Sequence, residues 1–355
     1  MLIENSTTSS SEYIECPPID PVPAETHRPL WSVMIPTYNR TTYLEQTLKS
    51  VLAQAHTPDE MQIEIVDNCS TNVDMEAFVR KIAQDRVSFY KQPHHVDINT
   101  NMTTCIRRAR GHLVHILHDD DVVLPGFYSR LQEAFGKEPT IGAAFCHYIH
   151  VDEENRPLYL PKFERSTSGI IPNWIERIAV RSLIQPPAFV VKRSVYENLG
   201  GLHPKLRYTS DWEMCQRIAA YYPVWYEPQT LAHFRIHSSS TTSGILRSGE
   251  NFLDKLRAIE ICHSYLPAPI ASKLSRKARE VAAINTLGHA RRAFVKGDIV
   301  TAIVQIRGAL QCSSSLKVIG ALPLVPVLAG MDSVKNAMPN WMSYLYSTTD
   351  KNSIL

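Results

Sequence analysis

Short apolar runs alternate with helix-like patterns between residues 30 and 136. Within the helix-like segments, apolar residues recur every three or four positions, as they do on one face of an amphipathic helix. Thr42 and Glu45 predict a capping box at the start of the first helix. Strands alternating with helices predict a parallel sheet with crossover helices. The predicted strands are residues 30–36, 61–68, 86–92 and 112–118, and the helices are residues 41–54, 73–84, 101–111 and 124–136.

The pattern changes after about residue 150. Residues 288–310 read as one helix–turn–helix unit with Gly297 and Asp298 at the turn, and most of the chain after residue 251 is helix-like. Four more strands are predicted over residues 141–152, 186–193, 223–228 and 231–237, and helices over residues 172–182 and 211–222. The predicted parts are a flexible leader (1–28), an α/β domain (29–245) and a helical region (246–355).

Composition narrows the class of protein. The net charge is +2, from 37 basic and 35 acidic residues, which gives no indication of a nucleic-acid partner. Seven scattered cysteines without a C-x-x-C pair argue against a zinc site and against a disulfide framework. The first residues lack the apolar core of a signal peptide. Together these features favour a globular protein of the reducing cytosol.

The helical region leaves two interpretations open. It is rich in Lys and Arg, which form either a solvated surface or a peripheral contact with the anionic inner face of the cell membrane. Residues 318–330 are apolar but too short to span a bilayer, and Pro323 and Pro326 interrupt them. They predict either a packed segment or one that dips into a membrane interface.

Polar residues follow three of the predicted strands at the point where each strand ends. They are residues 36–40, the pair Asp67–Asn68, and the three consecutive acids Asp119–Asp121. Ligands of open α/β sheets bind outside the carboxyl ends of the strands. Neighbouring carboxylates repel unless a cation or solvent separates them. The acids therefore predict either a Mg²⁺ or Mn²⁺ site beside a diphosphate, or a solvated loop in which Asp121 caps the next helix.

Five segments in this order resemble the family 2 glycosyltransferases, which have the GT-A fold. They are residues 32–54, 63–70, 109–128, 208–219 and 234–242. The resemblance implies a Rossmann-like, mostly parallel sheet with flanking helices. It also implies a nucleotide-sugar donor and an acceptor that is a glycan or a lipid-linked molecule.

The resemblance implies a nucleotide pocket at the first strand ends. Asp67 would accept a hydrogen bond from the base, most often uracil, and Asp119 would contact the ribose. The family often has Asp-Asp-Gly-Ser where this chain has residues 67–70, Asp-Asn-Cys-Ser, so an acid and a glycine are missing. The implied nucleotide-binding residues are Pro36, Thr37, Tyr38, Asn39, Asp67 and Asp119.

The three acids correspond to the family's D-x-D element, whose metal-binding role the resemblance implies here. Counting back from Pro125 favours Asp120 as the cation ligand, with Asp121 and His237 as further ligands. His118 occupies a position where some relatives carry an acid. His237 could equally be a structural histidine.

Asp211 is the implied catalytic base. A carboxylate at the start of a helix could also simply stabilise the helix dipole, and the two roles are compatible. Trp212 is predicted to contact the acceptor, although it could instead be a core residue. Arg235, in a tail segment that often closes over the diphosphate in such enzymes, is predicted to contact the diphosphate.

The sequence thus predicts a metal-dependent inverting glycosyltransferase, with a UDP-sugar favoured as donor, that acts in polysaccharide or surface glycan synthesis. Two other functions compete with it. A nucleotidyltransferase would ordinarily carry a Gly-rich basic first loop, whereas residues 36–40 contain one Arg and no Gly. A non-catalytic scaffold would have no need to retain Asp67, the three acids and Asp211 together.

Overall fold

The computed structural model describes residues 16–237 and 245–337. Residues 1–15 of the predicted leader and residues 238–242 of the tail segment lie outside the described part of the chain. The chain divides into two compact units, and the division after His237 lies close to the predicted boundary after residue 245. The first unit comprises Met1–Ile175 and Ser182–His237, and the second comprises Glu176–Arg181 and Ser238–Leu355.

Up to His237, most of the strands and helices alternate as predicted. The strands are β1 (Trp31–Thr37), β2 (Met61–Asp67), β3 (Ser88–Lys91), β4 (Leu113–Ile116), β5 (Val122–Val123), β6 (Ala143–Val151), β7 (Pro157–Tyr159), β8 (Gly169–Ile170), β9 (Phe189–Lys192) and β10 (Val224–Arg235). The helices are α1 (Leu44–Leu52), α2 (Met75–Ala83), α3 (Ile98–Arg108), α4 (Phe127–Lys137), α5 (Trp174–Ile178), α6 (Arg193–Leu199) and α7 (Ser210–Tyr221).

All ten strands belong to one sheet, whose main path runs β3-β2-β1-β4-β9-β6-β10-β5. The first four strands pair in parallel, and β6 pairs in parallel with β10. Strand β9 runs antiparallel to both β4 and β6, so β6 and β10 point the same way as β1–β4. The predicted α/β class with a mostly parallel sheet is therefore confirmed. Consequently the carboxyl ends of β1, β2, β4, β6 and β10 lie along one edge.

Apolar periodicity explains how the helices attach to this sheet. Strands β1 and β2 are buried along almost their whole length, as expected for parallel strands covered on both faces. Helix α1 buries Leu44, Leu48 and Val51, which lie on one face and join the core of the sheet. Such a core holds the strand ends rigidly, so the polar loops that follow them start from fixed positions.

Three local predictions were wrong. Helix α1 begins at Leu44, its N-cap Tyr43 makes no side-chain cap, and Glu45 pairs with Lys49, so the capping box with Thr42 does not form. The two strands predicted over residues 223–237 are one strand, β10, in which register shifts mark an irregularity. The helix predicted over residues 172–182 is the short α5.

The second unit is helical, as predicted. The predicted turn is confirmed: Gly297 has a φ of 74°, which favours glycine, and the Asp298 side chain accepts a hydrogen bond from the Thr301 N–H at the start of the next helix. Among the described helices, none combines the length and apolar character needed to cross a bilayer. The helices are α8 (Glu250–His263), α9 (Ala268–Val295), α10 (Ile299–Cys312), α11 (Leu316–Ala321) and α12 (Leu324–Ala337).

Candidate active site

The ends of β1 and β4 meet through a direct side-chain contact. The two strands pair in parallel, which places Thr37 beside the loop after β4. The Thr37 hydroxyl donates a 2.6 Å hydrogen bond to Oδ2 of Asp119. The three acids Asp119, Asp120 and Asp121, called the acid cluster below, thus lie next to the first loop, as the sequence predicts.

Arg40 supplies a positive charge to the acid cluster. Its Nη1 lies 3.1 Å from Oδ1 of Asp119 and 2.6 Å from Oδ2 of Asp120. The sequence analysis assigned Arg40 no role, because nothing in residues 36–40 shows that the chain folds the arginine back over the loop after β4. The side chain is in fact only 23% exposed. Arg40 is therefore a site residue that sequence reasoning missed.

The environment separates the pKa values of the three acids. Burial and, next, the Asp120 carboxylate raise the pKa of Asp119 to about 7, against the effect of Arg40 and Thr37. Burial and the Asp120 charge also raise the pKa of Asp121 well above its ordinary value. Burial acts on Asp120 too, but the hydrogen bond from His237 and the charges of His118 and Arg40 outweigh it and lower its pKa. Asp120 is consequently the acid that stays ionised most readily.

The loop after β4 also presents a possible set of metal ligands. His118, Asp120 and Asp121 each offer a ligand atom, and these atoms lie within 4.8 Å of one another. Nε2 of His118 and Oδ2 of Asp121 are buried and have no hydrogen-bond partner. Buried polar atoms are rarely left unsatisfied, and carboxylate and imidazole groups together suit Mn²⁺. These residues therefore fit a divalent cation.

His237 differs from its predicted role as a ligand. Its Nε2 donates a 2.9 Å hydrogen bond to Oδ2 of Asp120, and its ring packs against Tyr43 with 5.0 Å between centroids. This nitrogen is thus engaged by a carboxylate of the acid cluster. Among the described residues, the group whose possible ligand atoms lie close together contains His118 and not His237.

The loops after β1 and β2 are bonded to each other. The Asp67 carboxylate is buried and accepts hydrogen bonds from the N–H and hydroxyl of Ser70, and that hydroxyl accepts one from the Asn39 N–H at 2.8 Å. Oδ1 of Asn39 accepts a 2.9 Å bond from the Thr71 N–H. Asn39 has a φ of 52°, a left-handed conformation that asparagine tolerates. Asp67 and Asn39 therefore shape the predicted nucleotide loop.

An aromatic pair stands at this edge. Tyr38 is 42% exposed, and its ring packs against His95 with 4.3 Å between centroids and 34° between planes. His95 in turn lies 3.3 Å from the Asn68 carbonyl through its Nδ1. Sequence reasoning missed His95, because a histidine in a loop after β3 carries no periodic signal. Pro36 lies within β1, paired with Val66 of β2.

Asp211 lies in the first turn of α7. Its Oδ1 accepts a 2.7 Å hydrogen bond from the Trp212 N–H, and the side chain is half-buried. The preceding residue, Ser210, donates a 2.7 Å bond to Oδ1 of Asn99 at the start of α3. The start of α7 is thereby anchored to α3.

Two predicted contacts are corrected by burial. The Trp212 side chain is only 6% exposed, so its ring is a core residue and has little surface on which to stack a sugar. Arg235 is 3% exposed, and its guanidinium uses all five N–H groups within the protein. It therefore has no donor left for a diphosphate and instead ties the cluster to neighbouring loops. Its acceptors are the backbone carbonyls of Asp120, Asp152 and Glu153 and the side-chain oxygens of Gln46 and Asn155.

Residues 32–200 match the family described as glycosyl transferase family 2. Over these residues, a little under half of the chain, the protein is similar to the family 2 glycosyltransferases. The match includes the acid cluster but ends before Asp211 and His237, which reach the same unit through α7 and β10. Glycosyl transfer is therefore the activity class that the family assigns to this domain.

The chain is also similar in sequence to a named relative and in fold to two solved structures. The chain is 36% identical over 137 residues to the putative teichuronic acid biosynthesis glycosyltransferase TuaG of Bacillus subtilis, covering 37% of this chain and 51% of TuaG. Its fold resembles S. aureus TarS in complex with UDP, with a TM-score of 0.57, 12% identity and coverage of 86% and 88%. It also resembles the Pyrobaculum calidifontis mannosyltransferase PcManGT in complex with GDP-Man and Mn²⁺, with a TM-score of 0.53, 18% identity and coverage of 90% and 91%.

Proposed function

We propose that this protein is a metal-dependent, inverting glycosyltransferase that transfers a sugar from a UDP-sugar to a hydroxyl group of a glycan or lipid-linked acceptor. The observation that carries the proposal is the pair of buried, unpartnered ligand atoms, Nε2 of His118 and Oδ2 of Asp121, beside the ionised Asp120. A protein that used these acids only as a solvated loop would expose them to water.

The acid cluster would hold the cation and the donor together. A divalent cation held by His118, Asp120 and Asp121 would neutralise the charge that builds up on the departing diphosphate. In the structure, the Arg40 guanidinium lies 3.1 Å from Asp119 and 2.6 Å from Asp120. Arg40 would therefore hold Asp120 in position before the donor binds.

The Tyr38–His95 pair is suited to bind the donor base. The exposed face of Tyr38 offers a stacking surface, and every nucleobase has a π-face for such a contact. The neighbouring Asp67 would favour a base that presents an N–H, as uracil does, although its carboxylate also accepts two bonds from Ser70. The TarS complex with UDP has a similar fold, and the PcManGT complex shows that this fold also accommodates GDP-Man.

Asp211 would act as the general base. The acceptor hydroxyl gives its proton to the Asp211 carboxylate, the hydroxyl oxygen forms a bond to the anomeric carbon, and the bond from that carbon to the diphosphate breaks. A single displacement of this kind inverts the anomeric configuration. The similarity to TuaG supports an acceptor that belongs to a cell-surface polysaccharide.

The decisive experiment measures products from the full chain incubated with UDP-sugars or GDP-sugars, with Mn²⁺ or with EDTA. We expect nucleoside diphosphate release from a UDP-sugar that requires the metal, and β-linked product from an α-linked donor. Pyrophosphate release would indicate a nucleotidyltransferase instead. If every donor remained intact with Mn²⁺ and a range of acceptors, the proposed activity would be wrong.

A further inference from the structure

The second unit contains an open cavity of about 300 Å³, formed within its own helices. Lys255 reaches it from α8, and His289 and Arg292 reach it from α9. Leu324 and Leu328 of α12 line another side. A volume of this size lies at the lower end of the range for small-molecule sites. We call it the cationic cavity.

The charges that line this cavity have one sign. The lining residues include Lys255, Arg291 and Arg292 and no aspartate or glutamate. Within the described part of the chain, Lys255 forms no ion pair. The titratable group that most favours the charged form of Lys255 is the Cys312 thiol. Burial raises the pKa of that thiol to about 11, so the thiol is neutral at pH 7. The half-buried ammonium of Lys255 thus has no counter-charge from these side chains.

His289 adds a further donor. Nη2 of Arg292 lies 2.9 Å from Nδ1 of His289. A guanidinium can only donate, so Nδ1 accepts and the ring proton lies on Nε2. Burial, followed by the charges of Arg292 and Lys255, lowers the pKa of His289 to about 3, so the ring is neutral at physiological pH. The cavity therefore presents ammonium, guanidinium and imidazole N–H groups, which are the donors used to bind phosphate oxygens.

The remaining wall of the cavity is apolar. It is formed by Leu287 of α9 and by Leu324, Val325 and Leu328 of α12. Leu324 is 42% exposed, so the apolar wall continues to the surface of the unit. A small inorganic anion would leave this wall in contact with water. An apolar chain attached to the anion would cover it.

We propose that the cationic cavity binds a phosphate group that carries an apolar chain, with the phosphate at Lys255, His289 and Arg292 and the chain along α12. The cations alone would also accept free phosphate, so the apolar wall decides between the two sources. This proposal is independent of the reaction in the first unit, because every residue it uses belongs to the second.

The test compares three probes by calorimetry and thermal unfolding of the full chain. They are dihexanoyl phosphatidic acid below its micelle concentration, inorganic phosphate, and dihexanoyl glycerol, which has the same chains without the phosphate. We expect saturable binding of the phosphatidic acid at least tenfold tighter than that of either other probe. Equal binding of inorganic phosphate would show a free-phosphate site, and equal binding of dihexanoyl glycerol would show a purely apolar one. Either result contradicts the proposal.

Lys255→Met, which keeps the length of the side chain and removes its charge, localises the binding. We expect at least tenfold weaker binding of the phosphatidic acid, and a Tm without ligand that is equal to or above that of the wild type. Arg292→Gln should weaken binding in the same way, whereas Lys273→Met, at an exposed position on α9, should leave it unchanged. Equal loss in the Lys273 variant would show non-specific attraction. A lower Tm of the Lys255 variant without ligand would show a structural role and overturn the proposal.

Discussion

The acid cluster and the cationic cavity differ in how their charges are paired within the protein. In the acid cluster the protein supplies its own partners, since Arg40 contacts Asp119 and Asp120 and His237 donates a hydrogen bond to Asp120. In the cationic cavity the lining residues include three basic side chains and no acid. An isolated charge is costly to remove from water, so the buried carboxylates of the acid cluster and the half-buried ammonium of Lys255 each favour a compensating partner.

The acid cluster shows that some buried polar atoms can lack a partner even where the protein pairs their neighbours. Arg40 and His237 stabilise the charge of Asp120, yet Oδ2 of Asp121 and Nε2 of His118 stay buried without partners. The cationic cavity has no such internal partner, because its lining residues include no acid. Each region therefore points to a ligand of the opposite charge: a metal ion in one case and a phosphate in the other.

The largest expected effect comes from Asp120→Ala. We expect nucleoside diphosphate release to fall by about 10³-fold or more, because charge stabilisation by a metal contributes several kcal/mol to the transition state. The rise in Tm caused by Mn²⁺ should disappear as well. Asp59→Asn, which alters an exposed carboxylate, is the matched control and should behave as wild type. Normal donor turnover by the Asp120 variant in EDTA would show that the acid cluster does not need a cation. The acid cluster would then not be a region that requires a ligand of opposite charge.

The Asp211→Asn variant tests whether Asp211 accepts the acceptor's proton, in contrast to the acid cluster, which is proposed to hold a cation. We expect kcat to fall by about 10²-fold or more, as when a general base is removed, because the amide cannot accept the proton. The affinity for UDP in the presence of Mn²⁺ should stay within about threefold of wild type, a range that reflects a near-neutral change. Calorimetry with UDP and a steady-state assay measure the two properties. Loss of UDP binding would instead assign Asp211 to the donor site.

Much of this arrangement could be predicted from sequence, because strand and helix periodicity places the loops after β1, β2 and β4 at one edge. Side-chain pairing across loops could not be predicted. Arg40 meets Asp119 only through the fold, and His237, just after β10, meets Asp120 of the loop after β4 in the same way. The cationic cavity could not be predicted for the same reason. Lys255 lies on α8 and Arg292 on α9, and on either helix alone a basic residue is typical of a solvated surface.

The pH dependence of the free energy of unfolding tests how well Arg40 and Thr37 offset the burial of the Asp119 carboxyl. The folded structure raises the pKa of Asp119 to about 7, so between about pH 4 and pH 7 this carboxyl is protonated to a greater extent in the folded protein than in the unfolded chain. Without metal, this group should therefore reduce the free energy of unfolding by about 2 kcal/mol as the pH rises from 5 to 7. Denaturant unfolding in EDTA measures the change. Asp119→Asn should remove that part of the slope, and parallel wild-type and variant profiles would contradict the assignment.

The smallest effect expected concerns the choice of metal. Imidazole is a better ligand for Mn²⁺ than for Mg²⁺, whereas a carboxylate suits both, so His118 should make the site favour Mn²⁺. We expect His118→Asp to lower the ratio of activity with Mn²⁺ to activity with Mg²⁺ by about tenfold, equivalent to 1.4 kcal/mol of differential binding. His95→Asn, which alters a histidine of the aromatic pair, should leave the ratio unchanged. An unaltered ratio in the His118 variant would mean that the buried Nε2 of His118 is not a metal ligand. Oδ2 of Asp121 would then be the remaining buried atom that indicates a bound cation.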